Sequence, residues 1–228
     1  MTSWSVTSRR TAAGLLATAS AMLAACADSG GAANALARPD DAALSAAAPD
    51  SFRVAFETSR GRFVVAANRA WAPRGVDRFH YLVRQGFYDG VRFYRVLPGF
   101  IVQFGLHGDP AVSKTWEERE FADDPFAQSN RRGTVTFATA GPNTRTTQLF
   151  INTADNLNLD GMGFTPIGTV VEGMDVVDGL YAEYGEGAPD GPGPDQQRIV
   201  DEGNAYLTRQ FPKLDHIRTA RIVEGGAR

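Results

Sequence analysis

The chain has 228 residues, 43% hydrophobic and 21% charged, with 23 basic and 26 acidic side chains and a net charge of −3. This mild acidity argues against nucleic acid as a partner and against adhesion to anionic lipid by charge alone. Cys26 is the only cysteine, which excludes an intrachain disulfide, and His80, His107 and His216 are too scattered to pair as zinc ligands.

Residues 1–25 read as a signal peptide. Arg9 and Arg10 form a charged head, and Thr11–Ala25 is an apolar run too short to span a bilayer. The run ends Leu23-Ala24-Ala25-Cys26, which resembles a bacterial lipobox, a motif whose cysteine is lipidated and becomes the mature N-terminus. Residues 26–50 are rich in Ala, Gly, Ser, Asp and Pro, a composition that predicts a flexible tether behind a lipid anchor at Cys26. Without the leader the balance is 21 basic to 26 acidic residues, net −5. The membrane would therefore be reached through the N-terminal lipid only. Ala27 rather than Asp follows the cysteine. In a bacterial envelope with two membranes, that points to the periplasmic face of the outer one.

Residues 51–228 form one globular domain by composition. Phe52, Val54 and Phe56 alternate with Arg53, Ala55 and Glu57 as a half-buried strand, and Arg60-Gly61 turns the chain into a partner at Arg62–Ala67. Pro73 opens a helix running to about Gln85, striped by Val76, Phe79, Leu82 and Val83 and closed by Gly86. Two short strands follow, Val91–Val96 and Phe100–Phe104, around a Leu97-Pro98-Gly99 turn. Alternation predicts Phe93 and Arg95 on one face, and Ile101 and Gln103 opposed to Phe100, Val102 and Phe104. Leu106–Arg132 reads as a long charged loop, with Glu117, Glu118, Glu120, Asp123 and Asp124 on a solvated face. Strands are expected at Thr134–Thr139, Gln148–Asn152 and Ile167–Val171, with a short helix at Met174–Tyr181. Glu183–Asp195 is a Gly/Pro-rich loop. A helix marked by Ile199, Tyr206 and Leu207 ends before Pro212, and His216–Glu224 is a last strand.

Two stretches carry a resemblance to the cyclophilin family of peptidyl-prolyl cis-trans isomerases. Phe93-Tyr94-Arg95 through Gly105 is similar to the family's Phe-His-Arg-x-x-Pro-Gly-Phe-x-x-Gln-x-Gly. Ala138 through Phe150 is similar to its Ala-x-Ala-Gly-Pro-Asn-Thr-x-x-Ser-Gln-Phe-Phe. The resemblance implies a mainly β fold, a closed eight-stranded barrel with two main helices, here with a C-terminal helical insertion. It also implies isomerase activity on Pro-containing polypeptide clients by a monomer that needs neither cofactor nor metal. Residue by residue, Arg95 matches the catalytic arginine and Gln103 the glutamine that orients it. Phe100, Ile101, Phe150 and Leu159 match the apolar pocket, and Ala138 and Thr139 match the edge that meets the residues before proline. The family's Trp-Leu-Asp-Gly-x-His is here Asn158-Leu159-Asp160-Gly161-Met162-Gly163 followed by Phe164. The tryptophan is lost, and the histidine is replaced by Gly163 or, with a one-residue insertion, by Phe164. These departures leave room for an alternative, a catalytically weak module that holds Pro-containing segments as a chaperone does.

Asn156-x-Asn158-x-Asp160-Gly161 imitates the start of a calcium loop but has Ile167 where a bidentate Glu belongs, so no calcium site is expected.

Overall fold

Apart from Met1, the computed structural model describes residues 36–223. The cysteine and leader expected at residues 1–26 thus lie outside the described residues, Met1 excepted.

Eight strands form one antiparallel sheet: β1 (Ser51–Thr58), β2 (Arg62–Asn68), β3 (Arg95–Leu97), β4 (Ile101–Phe104), β5 (Thr134–Phe137), β6 (Leu149–Asn152), β7 (Pro166–Glu172) and β8 (Ile217–Val223). Their order is β3-β4-β6-β5-β7-β2-β1-β8. The chain just before β3 pairs with the start of β8, which draws the two edges together. Gly90 N donates to Ile217 O at 2.8 Å, Ile217 N to Val91 O at 2.9 Å and Phe93 N to Asp215 O at 3.0 Å. The sheet is curled around an aromatic core in which Phe56 stacks on Phe63 at 4.8 Å and Phe93 meets Phe104 edge-on at 5.3 Å. This is the mainly β barrel architecture that the resemblance implies.

This closure corrects the expected strand at Val91–Val96. Only residues 95–97 are in β3, and Arg92 makes an isolated bridge to His216. Between them the chain is irregular as it changes partner. Alternation is broken there, so Phe93 enters the core while Arg95 faces outward.

Helix α1 (Asp41–Leu44) precedes the barrel, and α2 (Pro73–Arg84) buries Val76, Phe79, Leu82 and Val83 as the apolar stripe requires. Ala72 gives α2 no side-chain cap. The Asp124 carboxylate supplies one from a distance, accepting Arg74 N at 2.9 Å and Gly75 N at 2.8 Å. Asp124 is consequently buried, unlike the solvated acidic face expected there. A further difference is α3 (Pro110–Glu117), which forms inside the expected loop. Asp109 caps it and Pro110 starts it, a local signal that the charged composition outweighed. The short α4 (Met174–Asp178) stops before the expected Tyr181, and the second long helical segment, α5 (Gln196–Gln210), is kinked at Gly203, whose φ of +60° is not helical.

Part of the stretch expected as tether is seated on the body. Trp116 of α3 is 1% exposed and donates its ring N–H to Leu36 O at 2.9 Å. Leu36 and Ala48 are themselves buried in the main core cluster. Apolar Leu36, Leu44 and Ala48 cover the α2–α3 surface that would otherwise be wet, which a count of small polar residues does not register.

Gly105 follows directly on β4, with φ of +112°, and a Cβ there would stand 2.5 Å from Thr147 O and 2.7 Å from Gln148 Cα. Gly105→Ala should therefore cost about 2 kcal/mol, through left-handed strain and the displaced backbone. It should lower the urea midpoint with the m-value unchanged.

Candidate active site

Residues directly opposed on antiparallel strands point to the same face. The register sets Arg95 of β3 opposite Gln103 of β4, and Gln103 opposite Phe150 of β6. These three form one row across three strands, and Ile101, two residues from Gln103, joins the same face. The neighbouring row, Val96, Val102 and Ile151, faces the barrel core. The row with Arg95 is therefore on the outside of the barrel.

Ile101, Phe150 and Leu159 form an apolar cluster separate from the main core, with Phe100, Ala138 and Phe164 packed against it. The sequence-predicted pocket residues, dispersed over Phe100–Phe164, are thus brought together. Leu159 arrives on a 3-10 helix, Leu157–Met162, closed by Gly163. That helix is held by the residues that imitated a calcium loop. Asn156 Nδ2 donates to Phe100 O at 2.9 Å, and Asp160 Oδ1 accepts Asn130 N at 2.8 Å. Phe164 meets Phe150 edge-on at 5.5 Å, so the aromatic and not Gly163 takes the position beside the cluster. Thr139 borders the cluster but spends its hydroxyl within the 139–144 turn, on Gly141 O and on Thr144 Oγ1.

Arg95 is the charged member of this face, with a side chain 20% exposed and its guanidinium 5.9 Å from the Phe100 ring centre. Nη1 donates to Gln103 Oε1 at 3.0 Å. Gln103 Nε2 donates to Gln148 Oε1 at 3.1 Å, and the same oxygen accepts the Tyr94 hydroxyl at 2.5 Å. This chain fixes which end of the Gln103 amide faces Arg95. Burial pushes the Tyr94 phenol up, so it stays a neutral donor.

The motifs do not mark Gln148 or Glu186 as partners of this site. Gln148 was within sight, inside the Thr147-Gln148-Leu149-Phe150 segment of the second motif. Glu186 gave no signal: it is one carboxylate in a polar loop, yet it accepts Arg95 Nε at 2.5 Å and Nη2 at 2.7 Å. The hydrogen bond from Arg95 holds its carboxyl below the usual range.

A guanidinium beside an apolar cluster, with a bordering backbone edge, can bind an extended polypeptide and address one of its amides. Comparison with known proteins gives the family. The sequence model of the family described as "Cyclophilin type peptidyl-prolyl cis-trans isomerase/CLD" matches residues 53–201. The chain is 37% identical to peptidyl-prolyl cis-trans isomerase A of Dickeya dadantii over 137 residues, 58% of this chain and 72% of that protein. It is 37% identical to peptidyl-prolyl cis-trans isomerase B of Escherichia coli over 133 residues, covering 55% and 81%. It is 34% identical to peptidyl-prolyl cis-trans isomerase-like 1 of Aspergillus oryzae over 159 residues, covering 66% and 96%. The fold is similar to the crystal structure of a Cryptosporidium parvum cyclophilin-type isomerase, with a TM-score of 0.56 at 20% identity, over 77% of this chain and 99% of that one. The chain belongs to the cyclophilin-type peptidyl-prolyl cis-trans isomerase family.

Proposed function

We propose that the protein accelerates rotation about X–Pro bonds in unfolded or exported polypeptides, with Arg95 stabilising the twisted amide. Rotation faces a barrier of ~18–20 kcal/mol because the planar amide is resonance-stabilised. Twisting restores a lone pair on the proline nitrogen, and a donor that keeps its charge near neutral pH stabilises it selectively. The proline ring would be gripped by Ile101, Phe150 and Leu159, with Phe100 and Phe164 at the sides. The residues before it would run along Ala138 and Thr139. The observation that carries this reading is the shared outward row of Arg95, Gln103 and Phe150 beside the apolar cluster. The test is a proline-isomerisation assay on the full chain, expected to accelerate exchange well above the uncatalysed rate. Binding of Pro peptides with no acceleration would move the reading to a holding module.

The same proposal puts the protein on the periplasmic face of an outer membrane, held by a lipid on Cys26. Support comes from Leu23-Ala24-Ala25-Cys26 and the absence of any other cysteine. From Cys26 to Leu36 the chain reaches at most about 35 Å when extended, so the body would stay close to the bilayer. Cys26→Ala should leave an unlipidated protein that no longer sediments with membranes. Unchanged sedimentation would remove the anchor from the reading.

A further inference from the structure

Arg95 is held from two sides. Gln103 takes Nη1, and Glu186 takes Nε and Nη2 together in a bidentate pair. Three of the five guanidinium N–H groups are therefore engaged, and one on each terminal nitrogen is left for a substrate.

The loop that brings Glu186 is built to do so. Gly187 N donates to Glu186 Oε1 at 2.9 Å, and Gly193 N donates to Glu186 O at 2.8 Å. The loop closes so tightly that a Cβ on Gly191 would stand 2.5 Å from Glu186 O, and one on Gly193 2.6 Å from it. On one side of the loop, Tyr184 packs edge-on to Phe211 at 5.0 Å. On the other, α5 starts at once and buries Ile199, Val200, Tyr206 and Leu207 in a second core with Tyr94, the residue before Arg95. The C-terminal unit thus sets the backbone neighbour of Arg95 and supplies the carboxylate that holds its head.

We propose that Glu186 is a positioning residue for Arg95, fixing the plane and direction of the guanidinium so that its two free N–H groups meet the amide as it twists. The proposal rests on the reading of Arg95 as the charged donor. A long side chain with a free head would have to be ordered during each turnover, whereas a bidentate hold orders it in advance. The carboxylate also offsets part of the guanidinium charge. At a site with the Glu186 side chain 34% exposed, solvent screens that loss more than it weakens a directed donor. Direction should win.

The test uses the full chain, with kcat and KM for a Pro peptide measured by magnetisation exchange. Glu186→Ala should lower kcat about tenfold with KM within about twofold. Glu186→Gln should fall between this variant and wild type, because its amide accepts one N–H but turns an NH₂ toward the second. In an Arg95→Ala background, Glu186→Ala should have no further effect, as expected of a residue that acts only through Arg95. Independently of activity, the Arg95 Nε–H signal in ¹⁵N spectra should be protected from exchange in wild type and lose protection in Glu186→Ala. Because Glu186 is partly exposed on a loop, both variants should keep the wild-type circular dichroism spectrum. A kcat at or above wild type in Glu186→Ala, with Arg95→Ala slow, overturns the positioning role alone. An undiminished effect of Glu186→Ala in the Arg95→Ala background overturns it too. Arg95→Ala with wild-type kcat removes the reading of Arg95 and this proposal with it.

Discussion

Arg95→Ala should lower kcat for X–Pro rotation by about a hundredfold, with peptide affinity changed only a few-fold. Loss of a single preorganised donor aimed at developing charge costs roughly 2.7 kcal/mol or more, and each ~1.4 kcal/mol is tenfold in rate. On the proposed reading the apolar grip falls to other residues, Ile101, Phe150 and Leu159, which pack together without the guanidinium. The variant removes a group favoured in the twisted state and leaves one that holds both states alike, which is why kcat should move and KM should not. The substitution also leaves Glu186 without its partner, but on a partly exposed loop that carboxylate can be hydrated. Equal kcat in wild type and variant would exclude the charged-donor mechanism. Arg95→Lys should recover little, because an ammonium cannot meet the Glu186 fork and the Gln103 carbonyl in one plane.

Cyclosporin should inhibit this protein poorly, and Asn158→Trp should raise inhibitor affinity nearly a hundredfold while changing turnover far less. The resemblance implies that the family's tryptophan at this position lines the cleft and helps hold the cyclic peptide. Here Asn158 is exposed on the 3-10 helix, one residue from the buried Leu159. An indole is a large apolar surface with one donor, whereas a carboxamide is small and polar. About 100 Å² of lost apolar contact at ~25 cal/mol per Å² amounts to ~2.5 kcal/mol. A proline ring seated on Phe150 and Leu159 lies inside this rim and should depend on it less. Tight inhibition of the unmodified chain would show that Asn158 does not have the place assigned to it. Isothermal titration of both proteins with the inhibitor, beside their kcat values, separates the outcomes.

Much of the barrel was legible along the chain because its signals are local. β1, β2 and β5 through β8 lie within or near their expected ranges, and α2 has its proline start and its apolar stripe as read. The members of the outward row were singled out by the resemblance, but that they share a face is decided by strand pairing. Arg95, Gln103 and Phe150 sit in two short motifs, and the register of β3, β4 and β6 sets them opposite one another. Alternation reports a face only while a strand continues. It therefore misplaced Phe93, which lies where the chain leaves β8 for β4. Composition likewise hid the seating of Leu36 under Trp116, because a few apolar contacts outweigh many small polar neighbours.

What only the tertiary structure decided was the company that Arg95 keeps. Gln148 reaches it through Gln103 from the residue just before β6, and Glu186 from a loop 91 residues away. A carboxylate in a polar loop carries no periodicity, no cap and no turn preference, so nothing in its neighbours marks it. Its meaning came from the second core around Tyr94 and α5, which holds that loop against the one guanidinium that the motif had already singled out.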